Sequence, residues 1–170
     1  MKCFEQKPEA LEEFLDFLDE DIENIKRTVE AVESEGLDAD FVVHAKSETV
    51  EESAKHTGVK KEEIVKTLIF IGERPVAVLC PGDTSVSEKK LEEILDTDVR
   101  MANPEEVEEA SGYVVGGVSP FDLDIKVLME ESILEKEEVR PAAGSRVVGV
   151  NLDPKALKQV SGAEAVDVSR

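Results

Sequence analysis

Apolar residues recur at helical spacing along the first thirty-odd positions, where Leu11, Phe14, Leu15, Leu18, Ile22, Ile25, Val29 and Val32 mark one stripe of "PEALEEFLDFLDEDIENIKRTVEAVESEG". That period predicts one or two amphipathic helices, with Gly36 as a natural stop. The pattern then shortens. "ADFVVHA" reads as a brief strand ending near His44, and "VEESAKHTG" as a helix opened by a capping box of Thr49 and Glu52 and closed by Gly58. A second short helix is expected from Lys60 to about Val65. "VKTLIFIG" and "PVAVLCPG", separated by the turn-like "ERP", predict an antiparallel hairpin.

Downstream, Ser87 is placed to cap the helix "EKKLEEILD", with Val86 and Leu91 as a hydrophobic staple. In "ANPEEVEEASG", Asn103 is an N-cap, Pro104 takes the first helical position, and Glu105 and Glu106 face the positive end of the helix dipole. Two apolar segments, "DIKVLMEESIL" and "SRVVGVNL", follow a glycine- and proline-rich loop. A helix begun by Asp153-Pro154 and a last short strand near Val166 to Val168 complete the chain. Strands and helices interleave without a regular βαβ period. The expectation is therefore an α+β fold, with a mixed, mainly antiparallel, curled or barrel-like sheet surrounded by helices. Residues 1–35 would form an N-terminal helical extension and residues 36–170 the main domain.

Two places depart from the pattern. With period two, Lys66 shares a strand face with Leu68 and Phe70, so an ammonium group is aimed inward or into a pocket, unless it sits at the strand mouth and snorkels to water. In "SGYVVGGVSPFD", Gly116-Gly117 interrupts an apolar strand, which marks a bulge, a bend or a backbone approached by a ligand. An ordinary bulge and turn would account for the pair. A ligand-binding reading has the N–H groups of Gly117 to Ser119 converging on a carbonyl oxygen and stabilising an oxyanion.

The charge balance adds a boundary. The 170 residues hold 40 acids against 20 Lys and Arg, a net charge of -20, with 41% hydrophobic residues. That is enough apolar material for one folded domain and far from the balance of an ordinary nucleic-acid binder. The acids are spread along the chain and read as a solvated shell suited to a salty cytosol. Few Asn and Gln and no Trp also fit a heat-adapted source. The start "MKCFEQKPEA" lacks the apolar core of a signal peptide, and no stretch approaches the length of a membrane span, so a cytoplasmic protein is expected. Cys3 and Cys80 are too few for a disulfide framework and read as free thiols.

Other candidate chemistry is sparse. His44, His56 and the two cysteines lack metal-ligand spacing, "PGDTS" lacks the phosphate-loop pattern, and there is no GxSxG elbow. No metal or cofactor is expected. Cys80 after "VAVL" reads as a core thiol rather than a nucleophile, and His44 as a structural residue at a strand end.

Together, "GVKKEEIVKTLIF", "VAVLCPGDTSVSEKKLEEIL", "MANPEEVEEASGYVVGGVSPFD" and "GSRVVGVNLDPKALKQVSGAEAVDVS" resemble, in that order, the YbaK/ProX-type aminoacyl-tRNA editing domains, from about Gly36 to Arg170. That family hydrolyses mischarged tRNA, chiefly tRNA for proline bearing cysteine or alanine, as free proteins or as a domain inserted into prolyl-tRNA synthetase. The resemblance implies Lys66 as the catalytic lysine of the KTL motif. It implies a substrate pocket from Thr67, Gly116, Gly117, Val118, Ser119 and Pro120, with His44, Glu130, Gly144, Ser145 and Arg146 as neighbours. The partners implied are the 3′ aminoacyl-adenosine end of a mischarged tRNA and prolyl-tRNA synthetase. Asp122, where the family often has Gly, and Glu130-Glu131-Ser132, in place of Asp-Glu-Ser, depart from the pattern.

Three functions remain in competition: a trans-editing hydrolase using water or the substrate's own side chain as nucleophile, a non-catalytic module docking on a synthetase, tRNA or protein, and a Cys80/His44 thiol hydrolase. Only "KHTGVKK" and Lys89-Lys90 offer basic clusters for phosphates. If the acids form a self-repelling shell, potassium chloride should raise the melting temperature by screening them. A melting temperature that falls steadily with added salt would count against that shell.

Overall fold

The computed structural model describes residues 8–44 and 49–170, with side chains described from Asp21 onward, so Cys3 and the side chains of Leu11, Phe14, Leu15 and Leu18 lie outside the described residues. The first periodic segment is a single helix, α1 (Pro8–Ser34). Val32 is buried in the main core and Ile25 packs against it, whereas Ile22 is exposed. The chain turns at Gly36, whose φ of +64° suits glycine. It then enters β1 (Ala39–Val43), ending beside His44. In α2 (Val50–Thr57), the Thr49 side chain accepts the Glu52 N–H and a left-handed Gly58 closes the helix. The expected helix from Lys60 to Val65 is only a 3₁₀ turn, Lys61–Glu63, because Ile64 and Val65 already pair in the sheet.

The hairpin forms as β2 (Ile64–Ile71) and β3 (Pro75–Pro81), antiparallel, with Lys66 opposite Cys80 and Phe70 opposite Val76. Helix α3 (Glu88–Leu95) is capped by Ser87, and Val86 and Leu91 are both buried, as a staple requires. After β4 (Arg100–Met101) comes α4 (Pro104–Ser111), where Asn103 and Glu106 bond reciprocally. The Arg100 guanidinium on Glu106, together with the Asn103 N–H, holds that carboxyl at about 2. Then follow β5 (Lys126–Glu130), β6 (Arg140–Pro141), β7 (Val148–Leu152), α5 (Pro154–Ser161) and β8 (Glu164–Val166). The last strand lies two residues before its expected place, although Val168 is still buried.

The fold is α+β. The larger sheet runs β4-β2-β3-β5-β8 without closing, with β6 also on β2, and β1 pairs β7 separately. The two longest ladders, β2 with β3 and β1 with β7, are antiparallel, while β3–β5, β5–β8 and β2–β6 are parallel. Apolar side chains cover both faces of the hairpin. Val65, Ile69 and Leu79 join Tyr113, Phe121 and Val32 in one core, whereas Phe70, Val78 and Cys80 join Leu91 and Val168 in the other. Burial on both sides explains why these strands read as nearly continuous apolar runs. The outer edge of β2 is paired at Ile64–Val65 by β6 and at Phe70–Ile71 by β4, and lies open between them. Among the described residues no helix is long and apolar enough to cross a membrane.

Glu130, at the end of β5, is almost fully buried and anchors the C-terminal segment. One oxygen accepts the Val168 and Ser169 N–H groups at 2.8 and 2.7 Å, and the other accepts Ser132 N–H at 3.4 Å. Burial pushes the carboxyl up, but these donors outweigh it and leave it below its ordinary value. A depressed carboxyl contributes stability above its unfolded value, near about 4.3, and loses it as pH falls through the lower folded value. Glu130→Gln should cost about 1.5–3 kcal/mol at neutral pH, roughly 3–12 °C in melting temperature. It should also flatten the dependence of stability on pH below about 4. Melts from pH 7 to 2 that superpose for both proteins would refute this anchor.

Candidate active site

The open stretch of the β2 edge forms one wall of a cleft of about 370 Å³. His44 after β1, the start of α2, the β4–α4 junction, the loop after α4, β6 with the loop after it, and the start of β7 supply the rest. Of the residues expected at a site, His44, Lys66, Thr67, Gly116, Val118 and Ser145 line it, joined by Arg146. Gly117, Ser119, Pro120, Gly144 and Glu130 do not line it.

Lys66 stands on the β2 face that carries the smaller core, half-buried, and its ammonium donates to the Thr84 carbonyl of the turn after β3. The inward-pointing lysine is thus satisfied by a backbone acceptor in the turn after β3, not by snorkelling into water. Thr67 addresses the opposite face. Its Oγ1 is buried and has no partner among the described residues.

The loop from Tyr113 to Asp122 brings Gly116 and Val118 to the cleft. Gly116 has φ +86°, and a Cβ there would touch the Arg146 stem at 3.4 Å, while Arg146 Nε donates to the Val115 carbonyl at 2.9 Å. A Cβ on Gly117 would lie 3.0–3.1 Å from the Ser145 backbone, so the two loops meet main chain to main chain. The expectation for the Gly117 N–H needs correcting, because it donates to the Val114 carbonyl at 3.0 Å within its own turn. The Val118 and Ser119 N–H groups have no partner among the described residues. Ser119 and Ser145 are buried, with their hydroxyls accepting the Phe121 and Val147 N–H groups, and Pro120 is buried beside them. Gly144, at φ +88°, presses against α1, where a Cβ would stand 2.4 Å from the Asn24 carbonyl.

Sequence reasoning missed Arg140. It lines the cleft, is 8% exposed, bonds the Asn151 side chain through Nε, and has Nη1 buried without a partner among the described residues. Burial lowers its pKa. Nothing in "EEVRPAAG" signals this, since the position follows from β6 pairing with β2. Among the described residues, the lining therefore carries Lys66, Arg140, Arg146 and His44 but no carboxylate, in a chain with twice as many acids as bases. Cys80 is fully buried and absent from this wall, and burial pushes its thiol up, the reverse of activation. The Cys80/His44 pairing is not formed. Among the described residues no group of three or more His, Cys, Asp or Glu is arranged to hold a metal.

Comparison with known proteins bears on this cleft. A family model described as the aminoacyl-tRNA editing domain matches residues 44–160. The uncharacterized protein YwhH of Bacillus subtilis (strain 168) is 37% identical over 119 residues, covering 68% of this chain and 76% of YwhH. The proline–tRNA ligase of Nitratidesulfovibrio vulgaris (strain DP4) is 34% identical over 116 residues, which make up 66% of this chain and only 19% of the ligase. Among solved structures, a candidate trans-editing enzyme for prolyl tRNA synthetase superposes with a TM-score of 0.78 at 28% identity, over 86% of this chain and 97% of that one. The hypothetical protein APE2540 superposes at 0.80 and 32% identity, over 85% and 99% of the two chains.

The unpartnered Thr67 hydroxyl generates a prediction. A buried hydroxyl without a partner is costly, so Thr67→Val, which keeps the shape, should raise the ligand-free melting temperature by roughly 2–4 °C, equivalent to about 1 kcal/mol. A lower melting temperature in calorimetry would mean that the hydroxyl is satisfied in solution.

Proposed function

Because the chain belongs to the aminoacyl-tRNA editing domain family, we propose that it is a trans-editing hydrolase that deacylates mischarged tRNA, with tRNA for proline bearing cysteine or alanine as the substrate. One observation carries the reading: among the described residues, a carboxylate-free cleft holds three cations beside a loop with unpartnered N–H groups, in a strongly acidic protein. An aminoacyl ester at the end of a polyanion is what such a wall suits. The small volume of the cleft supports a small side chain on the ester.

In the proposed reaction a water oxygen attacks the ester carbonyl carbon and the carbonyl electron pair moves onto its oxygen. The Val118 N–H group, at the cleft wall, receives that charge, and the Lys66 ammonium exchanges the Thr84 carbonyl for the substrate. Collapse of the adduct breaks the bond to the ribose 3′ oxygen, which takes up a proton. Free amino acid and uncharged tRNA leave. With a cysteinyl substrate the alternative nucleophile is its own thiol, which attacks the ester carbonyl and expels the ribose 3′ oxygen, the thiol proton passing to that oxygen, and leaves a thiolactone that water then opens to cysteine. Pre-set donors and orientation supply the acceleration, with no protein nucleophile required. Lys66, Thr67, Gly116, Val118, Ser145 and His44 form the wall of this proposed site, whereas Gly117, Ser119, Pro120 and Gly144 shape its loops from behind.

The acid excess favours a second reading, a non-catalytic module docking on prolyl-tRNA synthetase or another protein, since phosphate contacts need local Lys and Arg. A deacylation panel of cysteinyl-, alanyl- and prolyl-tRNA for proline at several salt concentrations separates the two. The hydrolase reading expects turnover of a mischarged member. It also expects a loss of about 100-fold or more in Lys66→Ala, the scale of removing one donor to a developing oxyanion. Lys66→Arg should also be poor, because a planar fork does not replace a compact ammonium. Both variants should still fold, losing a few degrees with the Thr84 bond. No turnover of any member by the parent leaves the docking module, and full activity in Lys66→Ala removes the role given to Lys66.

A further inference from the structure

Resting on the editing reading of the cleft, we propose that α1 is a working part of the site and that Arg27 is the positioning residue that sets the Gly116–Ser119 loop. The residues matched by the family model begin only at 44, well after this helix. Arg27 Nε donates to Asp122 Oδ2 at 2.9 Å, and Nη2 donates to the Asp122 backbone carbonyl at 2.9 Å and reaches the Ser111 carbonyl at 3.5 Å. Its guanidinium carbon lies 4.4 Å from the centroid of the Tyr113 ring, whose hydroxyl donates to the Phe121 carbonyl at 3.0 Å. One planar cation therefore gathers both ends of the segment from Ser111 to Asp122, and the cleft-lining residues are the middle of that segment.

The exit of the loop is strained in the direction this clamp explains. Asp122 has φ +54°, one of two non-glycine residues with positive φ among the described residues. Asp tolerates that region better than most residues, but glycine would adopt it more freely. Its carboxylate and its carbonyl are both used by Arg27. One turn earlier on the same helix, the Asn24 carbonyl abuts Gly144, and the neighbouring Ser145 backbone is what Gly117 rests on. The same face of α1 thus holds the second glycine loop against the first.

Magnitudes separate positioning from stability. The Asp122 side chain is 60% exposed, and an exposed ion pair adds little to global stability. Loss of the clamp should therefore appear in the order of the loop and in turnover, with little change in melting temperature. The test uses Arg27→Met, Asp122→Gly, which relaxes the backbone while removing the carboxylate, and the double variant. Amide exchange is followed at Gly117 and Phe121, which are hydrogen-bonded inside the loop, with Val78 and Leu128 in the strands as reference. Deacylation is measured on whichever mischarged tRNA the parent hydrolyses.

Arg27→Met should speed exchange at Gly117 and Phe121 at least tenfold with the reference amides unchanged. It should lower kcat about tenfold with KM within twofold. Asp122→Gly should do the same to a smaller degree, since the carbonyl contact survives, and the double variant should be no worse than Arg27→Met because both act through one contact. Unchanged exchange at Gly117 and Phe121 would overturn the proposal, as would equal acceleration at Val78 and Leu128. If the parent hydrolyses no mischarged tRNA, the editing reading falls by itself, and the exchange rates still decide whether Arg27 orders the loop.

Discussion

The site depends on an interruption in strand pairing. The outer edge of β2 is bonded to β6 at one end and to β4 at the other, and the gap between them exposes the main chain from Lys66 to Leu68. Because β3 covers the inner edge throughout and apolar cores cover both faces, that gap is held open by a rigid strand. Around that gap the rest of the cleft is assembled from loops, helix starts and short stretches of β4, β6 and β7.

Alternation along this strand divides the chemistry. Lys66 and Thr67 are adjacent in sequence and address opposite faces, so the ammonium is held by the turn after β3 while the hydroxyl lies on the side of the glycine loops. The turn carbonyl at Thr84 is thereby as much a determinant of where Lys66 stands as the strand itself. Electrostatics follows the same geography. Acids such as Glu23 and Glu51 sit exposed on helices, with Glu130 a buried exception, and the described wall of the cleft is left to cations whose burial or backbone partners keep them in place.

The glycines of the two loops serve contact more than freedom. Gly117 lies against Ser145 and Gly144 against Asn24, so the loops and α1 stack main chain on main chain with no room for a Cβ. Glu130 does comparable work at the end of β5, where it ties the last residues to that strand without lining the cleft.

Much of the architecture follows from short-range physics and was legible in the sequence. Ser87, Asn103 and Asp153 cap helices through their own side chains, Gly58 closes one through a left-handed φ, and the hairpin follows from two apolar runs around a three-residue turn. The same local logic singled out Lys66 as an ammonium out of place and Gly116-Gly117 as a break in an apolar run. What the sequence left open depends on partners far along the chain. That Arg140 reaches the cleft follows from a parallel pairing with Ile64, that Gly117 spends its N–H on Val114 follows from the turn it adopts, and that Arg27 grips Asp122 joins residues 95 positions apart. Periodicity and capping act over a few residues, so they determined the elements, while the gap in β2 and the loops and helix gathered around it were decided only when the sheet and α1 packed together.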